Sequence, residues 1–286
     1  LLSQRQRLYQ ETKRPEGRFI DCYYSHDKRR KIGSQISGNA GGITFGYVSE
    51  NTYTPIELLL NLEVSNDKYG LDSEQTTEAN SILAGLSFPD LAHDIMGGDI
   101  LAKLLIGASY NDTERKVLTN TNASARSENV TGKYTSTHIS AGAEWLTELL
   151  ASEGMNHSLS IGADLIQAYN NNYSAGEYEI SSRDMTQVQS RIFYNTAFNN
   201  SEKTVDFNTR IGISNQHMLS GKKQDYKIDG TSVSYIGNSD SVYYIAGLRA
   251  KYNLANKTNL FVDTNYSHSN VSPKNISINL GYISRF

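Results

Sequence analysis

Along most of this chain polar and apolar residues alternate one for one. A period of two makes the extended strand with a single apolar face the main element available. In "IELLLNLEV" Ile56, Leu58, Leu60, Leu62 and Val64 fall on one side; in "DILAKLLIGASY" it is Ile100, Ala102, Leu104, Ile106, Ala108 and Tyr110. "SVYYIAGLRAKYNL" gives Val242, Tyr244, Ala246, Leu248, Ala250 and Tyr252, and "NISINLGYISRF" gives Ile276, Ile278, Leu280, Tyr282 and Phe286. About twelve such segments are predicted, near 17–25, 40–50, 56–66, 78–88, 99–111, 132–148, 157–169, 185–198, 204–216, 241–253, 258–267 and 275–286. Many reach about ten residues, beyond the usual five or six.

The opposite face carries Glu57, Asn61, Glu63, Lys103, Ser109, Asp164, Arg210, Arg249, Lys251 and Asp263. A soluble β-sandwich would show the same alternation with its apolar side turned inward. Three features favour a transmembrane barrel, with apolar side chains facing lipid and the polar set lining a lumen. Strands of about ten residues suit a tilted bilayer crossing. Tyr47, Phe88, Tyr110, Trp145, Tyr169, Phe198, Tyr252, Tyr266 and Phe286 stand near the ends of apolar faces, as in an aromatic girdle. Links after even strands are short ("NTYTP", "PDLAHDIMGG", "LLASEGMN", "NNSEK", "LANKT"), whereas 26–39, 112–131, 170–184 and 217–240 read as longer hydrophilic loops. Such asymmetry marks outer-membrane barrels, with both chain ends on the short-turn, periplasmic side. The predicted fold class is all-β: an antiparallel transmembrane β-barrel of about twelve strands with an N-terminal α-helix in the lumen.

Composition narrows the alternatives. A net charge of −3 gives nucleic-acid binding no electrostatic support. The single cysteine, Cys22, excludes an intrachain disulfide and a Cys-rich zinc site. No apolar run is long enough for a transmembrane helix. "LLSQRQRLYQ" carries charge too early for a signal peptide, which points to a mature or excised part of a longer precursor.

Helical periodicity occurs at the N-terminus. In "LLSQRQRLYQETKRPEG" Leu1 and Leu8, with Leu2 and Tyr9, share a side at a spacing near seven, and Pro15 and Gly17 end the helix. Two units follow: a linker helix over 1–16 and a barrel over 17–286. A twelve-strand ring with strands about 4.8 Å apart has a backbone radius of roughly 12 Å. Inward side chains then leave room for about one helix, itself about 10–12 Å wide. Arg5, Arg7, Lys13 and Arg14 could pair there with Glu57, Glu63, Asp164 and Asp263; a loose periplasmic linker is the alternative. Glycines at 46, 85, 107, 142, 162, 212, 247 and 281 fall on the polar face. Either they relieve bending in a closed sheet, or Gly46, Gly107, Gly162, Gly212 and Gly247 in particular widen the lumen.

In order, the short helix with "RL" (Arg7, Leu8), the first strand "GRFIDCYYS", "GGITFGY", "GASYNDTERK" with Arg115, "SLSIGADL" and the terminal "LGYISRF" resemble the translocator β-domain of type Va autotransporters. The resemblance covers essentially the whole chain. It implies type V secretion: a barrel in the Gram-negative outer membrane that exports an N-terminal passenger and anchors it at the cell surface, with the helix plugging the pore afterwards. It also implies contacts with outer-membrane lipid and lipopolysaccharide, assembly by the barrel-assembly machinery with periplasmic chaperones, and a monomer. Gly281, Tyr282 and Phe286 would form the C-terminal assembly signal, although Ser284 stands where the family has an aromatic or apolar residue. Some members cleave themselves at an Asn-Asn junction in the helix; no Asn precedes Asn39, so that chemistry does not carry over.

The remaining constellations are weak. His138 and Ser140, two apart in "HISAG", echo the His-x-Ser pair of outer-membrane phospholipase barrels. Side chains two apart stand about 6.5–7 Å from each other, short of the contact a nucleophile and base need. "DKRRK" (27–31) reads as a solvated loop that could meet lipopolysaccharide phosphates. Asn-x-Ser/Thr triplets at Asn122 and Asn129 are expected by chance in an Asn- and Ser-rich chain. No phosphate loop, metal spacing or nucleotide signature is evident, and neither a catalytic residue nor a cofactor is expected. A diffusion channel for small solutes and an outer-membrane phospholipase-type enzyme are the alternative functions.

Overall fold

The computed structural model describes residues 17–31, 34–49, 55–70, 75–121, 124–152, 154–199, 204–228, 230–236, 240–254, 258–269 and 274–285. Twelve long strands form the body: β1 (Gly17–Lys31), β2 (Ser34–Val48), β3 (Glu57–Gly70), β4 (Gln75–Ile95), β5 (Gly98–Thr121), β6 (Ser124–Ser152), β7 (Met155–Asn170), β10 (Arg183–Asn199), β11 (Val205–Ser220), β14 (Ser241–Leu254), β15 (Thr258–Ser269) and β16 (Lys274–Arg285). Four short strands, β8 (Tyr173–Ala175), β9 (Tyr178–Ile180), β12 (Lys223–Ile228) and β13 (Thr231–Ile236), lie in the links between them.

The twelve pair antiparallel, each with the next long strand, and β1 pairs with β16 from Phe19↔Arg285 to Arg30↔Lys274. With β6 also paired to β7, the sheet closes into a ring with no free edge in its body. Closure satisfies every spanning N–H and C=O within the sheet, the condition for a sheet to exist in hydrocarbon. Both ends of the chain's strand set, Gly17 and Arg285, lie at one rim, here called the near rim; the other is the far rim.

Parity decides which face meets what. On β3, Leu58, Leu60, Leu62 and Val64 are 51%, 40%, 45% and 62% exposed, while Glu57, Asn61 and Glu63 between them are buried. The same holds around the ring: Ile43 and Phe45, Leu104 and Ile106, Ile161 and Leu165, Leu248 and Tyr252, Leu280 and Tyr282 all point outward. A continuous belt of exposed aliphatic and aromatic side chains on a sheet without a free edge is a surface made for lipid rather than water. The ring is a transmembrane barrel.

Two expectations change. The long links are not irregular loops. β5 and β6 run for 24 and 29 residues as one ladder that reaches Thr121↔Ser124, well past the far rim. Links 170–184 and 217–240 fold into β8–β9 and β12–β13, which attach to β6 through Gly132↔Ala175 and to each other through Tyr226↔Ile180. A polar segment can be a strand when its partner carries it out of the membrane, and composition alone does not reveal the partner. At the near rim, "PDLAHDIMGG" is not a simple turn either. β4 continues to Ile95 through two bulges, and the chain reverses at Asp94, Met96 and Gly97, all at positive φ.

Nor is the interior uniformly polar. Phe19, Tyr23, Val48, Phe261 and Ile283 form one buried cluster across the β1–β16 seam, and Leu59, Leu83 and Leu105 form another.

Candidate functional site

Inward parity gathers the barrel's charge. Glu144, Asp164 and Arg191 come from the neighbouring strands β6, β7 and β10, and each alternates with outward residues: Trp145 beside Glu144, Leu165 beside Asp164, Ile192 beside Arg191. Arg191 donates to Glu144 Oε2 through Nε at 3.0 Å and Nη2 at 2.8 Å, and through Nη1 to Asp164 Oδ2. All three are buried. Gly162 makes the reach possible, because it pairs with Glu144 on one side and Arg191 on the other. A Cβ there would come within 2.9 Å of Arg191 Cζ, so the guanidinium lies flat across the glycine.

This arrangement recurs. Phe19 lies over Gly46, His138 over Gly107, Phe193 over Gly212, Asn265 over Gly247 and Phe261 over Gly281. In each case the covering residue is the cross-strand partner. A large side chain laid over a neighbouring glycine is a recognised device for stiffening curved sheets. The expected widening of the lumen by Gly46, Gly107, Gly162, Gly212 and Gly247 is therefore corrected: the space each glycine leaves is filled by its neighbour.

The β11–β15 side continues the charged surface. Arg210 stacks on the Phe193 ring, 4.6 Å from its centroid, with Nη2 3.4 Å from Asn265 Oδ1. Arg249 stacks on Phe261 at 4.8 Å, and its Nε lies 3.0 Å from Asp263 Oδ1, an ion pair without in-line N–H geometry. Lys251 Nζ is 2.7 Å from Asp206 Oδ2, which also accepts from Asn253 Nδ2. A cavity of about 200 Å³ opens against this side, bounded by Arg191, Arg210, Arg249, Asn195, Asn208 and Asp263. On β3 two acids accept from neutral donors: Tyr23 Oη donates to Glu63 Oε2 at 2.5 Å, and Ser87 Oγ to Glu57 Oε2 at 2.8 Å. Asn61 ties Thr44 to Tyr23 in the same network.

The structure thus brings Arg210, Arg249, Lys251 and Asp263 together on one side, with Asp164 held by Arg191, and leaves Glu57 and Glu63 on another. Lys103 is buried on β5, inward like its neighbours Leu101 and Leu105. Gly281 and Tyr282 lie on β16, Tyr282 outward and 41% exposed. Arg5, Arg7, Leu8, Lys13, Arg14 and Phe286 fall outside the described residues. Arg191 and Glu144 escaped the sequence reading, although Trp145 and Ile192, apolar on the outer parity, fix both of them as inward. His138 and Ser140 are both buried, but Ser140 Oγ makes no hydrogen bond and so none with His138.

No protein-family model matches the chain, and no curated protein does. Solved structures do match. The translocator domain of the autotransporter NalP from Neisseria meningitidis is similar over 99% of this chain and 95% of its own, with a TM-score of 0.72 at 15% identity. The β-domain of the Bordetella autotransporter BrkA matches over 94% and 99%, with a TM-score of 0.65 at 11% identity. An outer-membrane channel from Pseudomonas putida F1 matches over 96% and 97%, at 0.54 and 16%. The chain has the fold of the autotransporter translocator domains, a closed twelve-strand barrel of the Gram-negative outer-membrane type.

Proposed function

We propose that this barrel is a translocator: it sits in the outer membrane, passes a passenger joined ahead of residue 1 to the cell surface, and anchors it there without bond chemistry. The likeness to the NalP translocator domain over nearly the full length of both chains carries this reading. The interior supports it. Acids Glu57 and Glu63 face the bore from β3, a surface suited to a cationic segment such as one bearing Arg5, Arg7, Lys13 and Arg14. In this reading 1–16 forms the pore helix and 17–286 the barrel. The barrel-assembly machinery and periplasmic chaperones deliver it through the terminal strand with Gly281, Tyr282 and Phe286. It works as a monomer among lipid and lipopolysaccharide. The far rim, with its tall β5–β6 ladder, is then the cell-surface side.

A reporter domain fused ahead of Leu1 in a Gram-negative host should become accessible to external protease; a reporter that stays inside defeats the proposal. The second reading, a small-solute channel, rests on the likeness to the Pseudomonas channel. Planar-bilayer conductance separates the two: a translocator conducts weakly with residues 1–16 present and more strongly once they are deleted. Large conductance from the intact chain would favour the channel.

A further inference from the structure

We propose that the near rim carries a divalent transition-metal site, suited to Zn²⁺, built from Asp90, His93 and Asp99. The donor atoms of these three side chains lie within 4.8 Å of one another. His93 Nδ1 and Asp99 Oδ1 are 3.4 Å apart, long for an N–H···O hydrogen bond. That spacing matches the ligand-to-ligand edge of a tetrahedron, about 3.3–3.6 Å when imidazole nitrogen and carboxylate oxygen bind at about 2.0–2.2 Å from Zn²⁺. One imidazole nitrogen among two carboxylates favours a borderline transition ion over Mg²⁺ or Ca²⁺, which prefer all-oxygen shells.

The backbone builds the convergence. Asp90 and His93 are three apart and would point to opposite faces of a regular strand. Between Phe88↔Ala102 and Ala92↔Ile100, four steps on β4 face two on β5; between Ala92↔Ile100 and Ile95↔Gly98, three face two. The surplus residues form bulges, which re-aim side chains, and both β4 ligands come round to Asp99 at the start of β5. The turn is also pinned from β6: Trp145 Nε1 donates to Ile95 O at 2.8 Å and Thr147 Oγ1 to Gly97 O at 2.6 Å. An ion bound there would tie the bulged end of β4 to β5. Three protein ligands would leave a position for water. Trp145 is the chain's single tryptophan and is bonded to the turn, so its emission is sensitive to changes there.

The test is calorimetric titration of the refolded barrel in detergent with ZnCl₂ and separately with MgCl₂, at neutral pH in a buffer that does not chelate. Trp145 emission is followed in parallel, and heat-modifiable gel mobility confirms folding. Wild type should bind one Zn²⁺, with an emission change reversed by EDTA, and no Mg²⁺ at matched concentration. His93→Gln and Asp99→Asn, both folded, should each bind at least tenfold more weakly and lose the emission change. Equal Zn²⁺ affinity in wild type and His93→Gln, no Zn²⁺ uptake by folded wild type, or equal binding of Mg²⁺ would each overturn the assignment.

Discussion

Inside the ring, Arg191 is 5% exposed between Glu144 and Asp164, whose side chains are 7% and 1% exposed. In the small sheet beyond the far rim, Lys227 Nζ and Glu179 Oε2 are 3.4 Å apart, with side chains 49% and 63% exposed. Both join a cation to carboxylates on nearby strands of the sheet, and they differ most in what surrounds them. In the bore, desolvation has already been spent, so removing one member strands the others. Outside, water replaces either partner at little cost, and salt screens what remains. Charge in this molecule specifies structure where the ring encloses it and confers mainly solubility where the strands run free of the membrane.

Four measurements would break or sharpen that contrast, beginning with the largest. Arg191→Met should destabilise the barrel by about 3–5 kcal/mol in urea unfolding from detergent or lipid, because Glu144 and Asp164 lose the guanidinium that compensates them. Replacing all three by apolar residues of similar volume should recover most of that loss; failure to recover would mean the ion cluster does more than satisfy itself. Next, Leu248→Arg on the lipid face should cost about 2–4 kcal/mol, with Leu104→Arg similar, while Asn208→Arg on the inner parity changes the folded fraction little. Equal tolerance at all three sites would reverse the assigned faces.

The third concerns pH in the far-rim sheet. Burial, aided by neighbouring Tyr134 and Tyr226, pushes the Tyr173 phenol up to about 12. The folded sheet therefore keeps this proton after the unfolded sheet has lost it, near pH 10. Stability from this group is intact below about pH 10 and falls as pH rises through about 12. Absorbance titration should show a late-ionising tyrosine, absent in Tyr173→Phe. The smallest effect is at the exposed pair: Lys227→Met should change stability by less than about 1 kcal/mol, and a loss approaching that of Arg191→Met would erase the distinction between the regions.

The twelve spanning strands were legible because a lipid-facing strand must repeat with period two wherever it crosses, and no turn can interrupt it in hydrocarbon. Each expected segment lies on a separate long strand of the ring. What stayed hidden depends on partners rather than on pattern. β8, β9, β12 and β13 are only three to six residues long, and they join the sheet where β6 runs past the far rim, through Gly132↔Ala175. The Arg191 cluster needs three strands in one register, with Gly162 between its members. The bulges that gather Asp90, His93 and Asp99 are counted only when β4 is laid against β5; in the linear text those residues sit in what looks like a turn.

The seam between β1 and β16 joins residues 244 to 266 positions apart, from Arg30↔Lys274 to Phe19↔Arg285. Drawing the ends of so long a chain together costs about 5 kcal/mol of configurational entropy before a single rung of that ladder repays it. Until the final strand docks, β1 presents an open row of amides and carbonyls to whatever lies nearby, and pairings this distant in sequence form slowly. The exposure ends when β16, the last strand of the ring in chain order, zips onto β1.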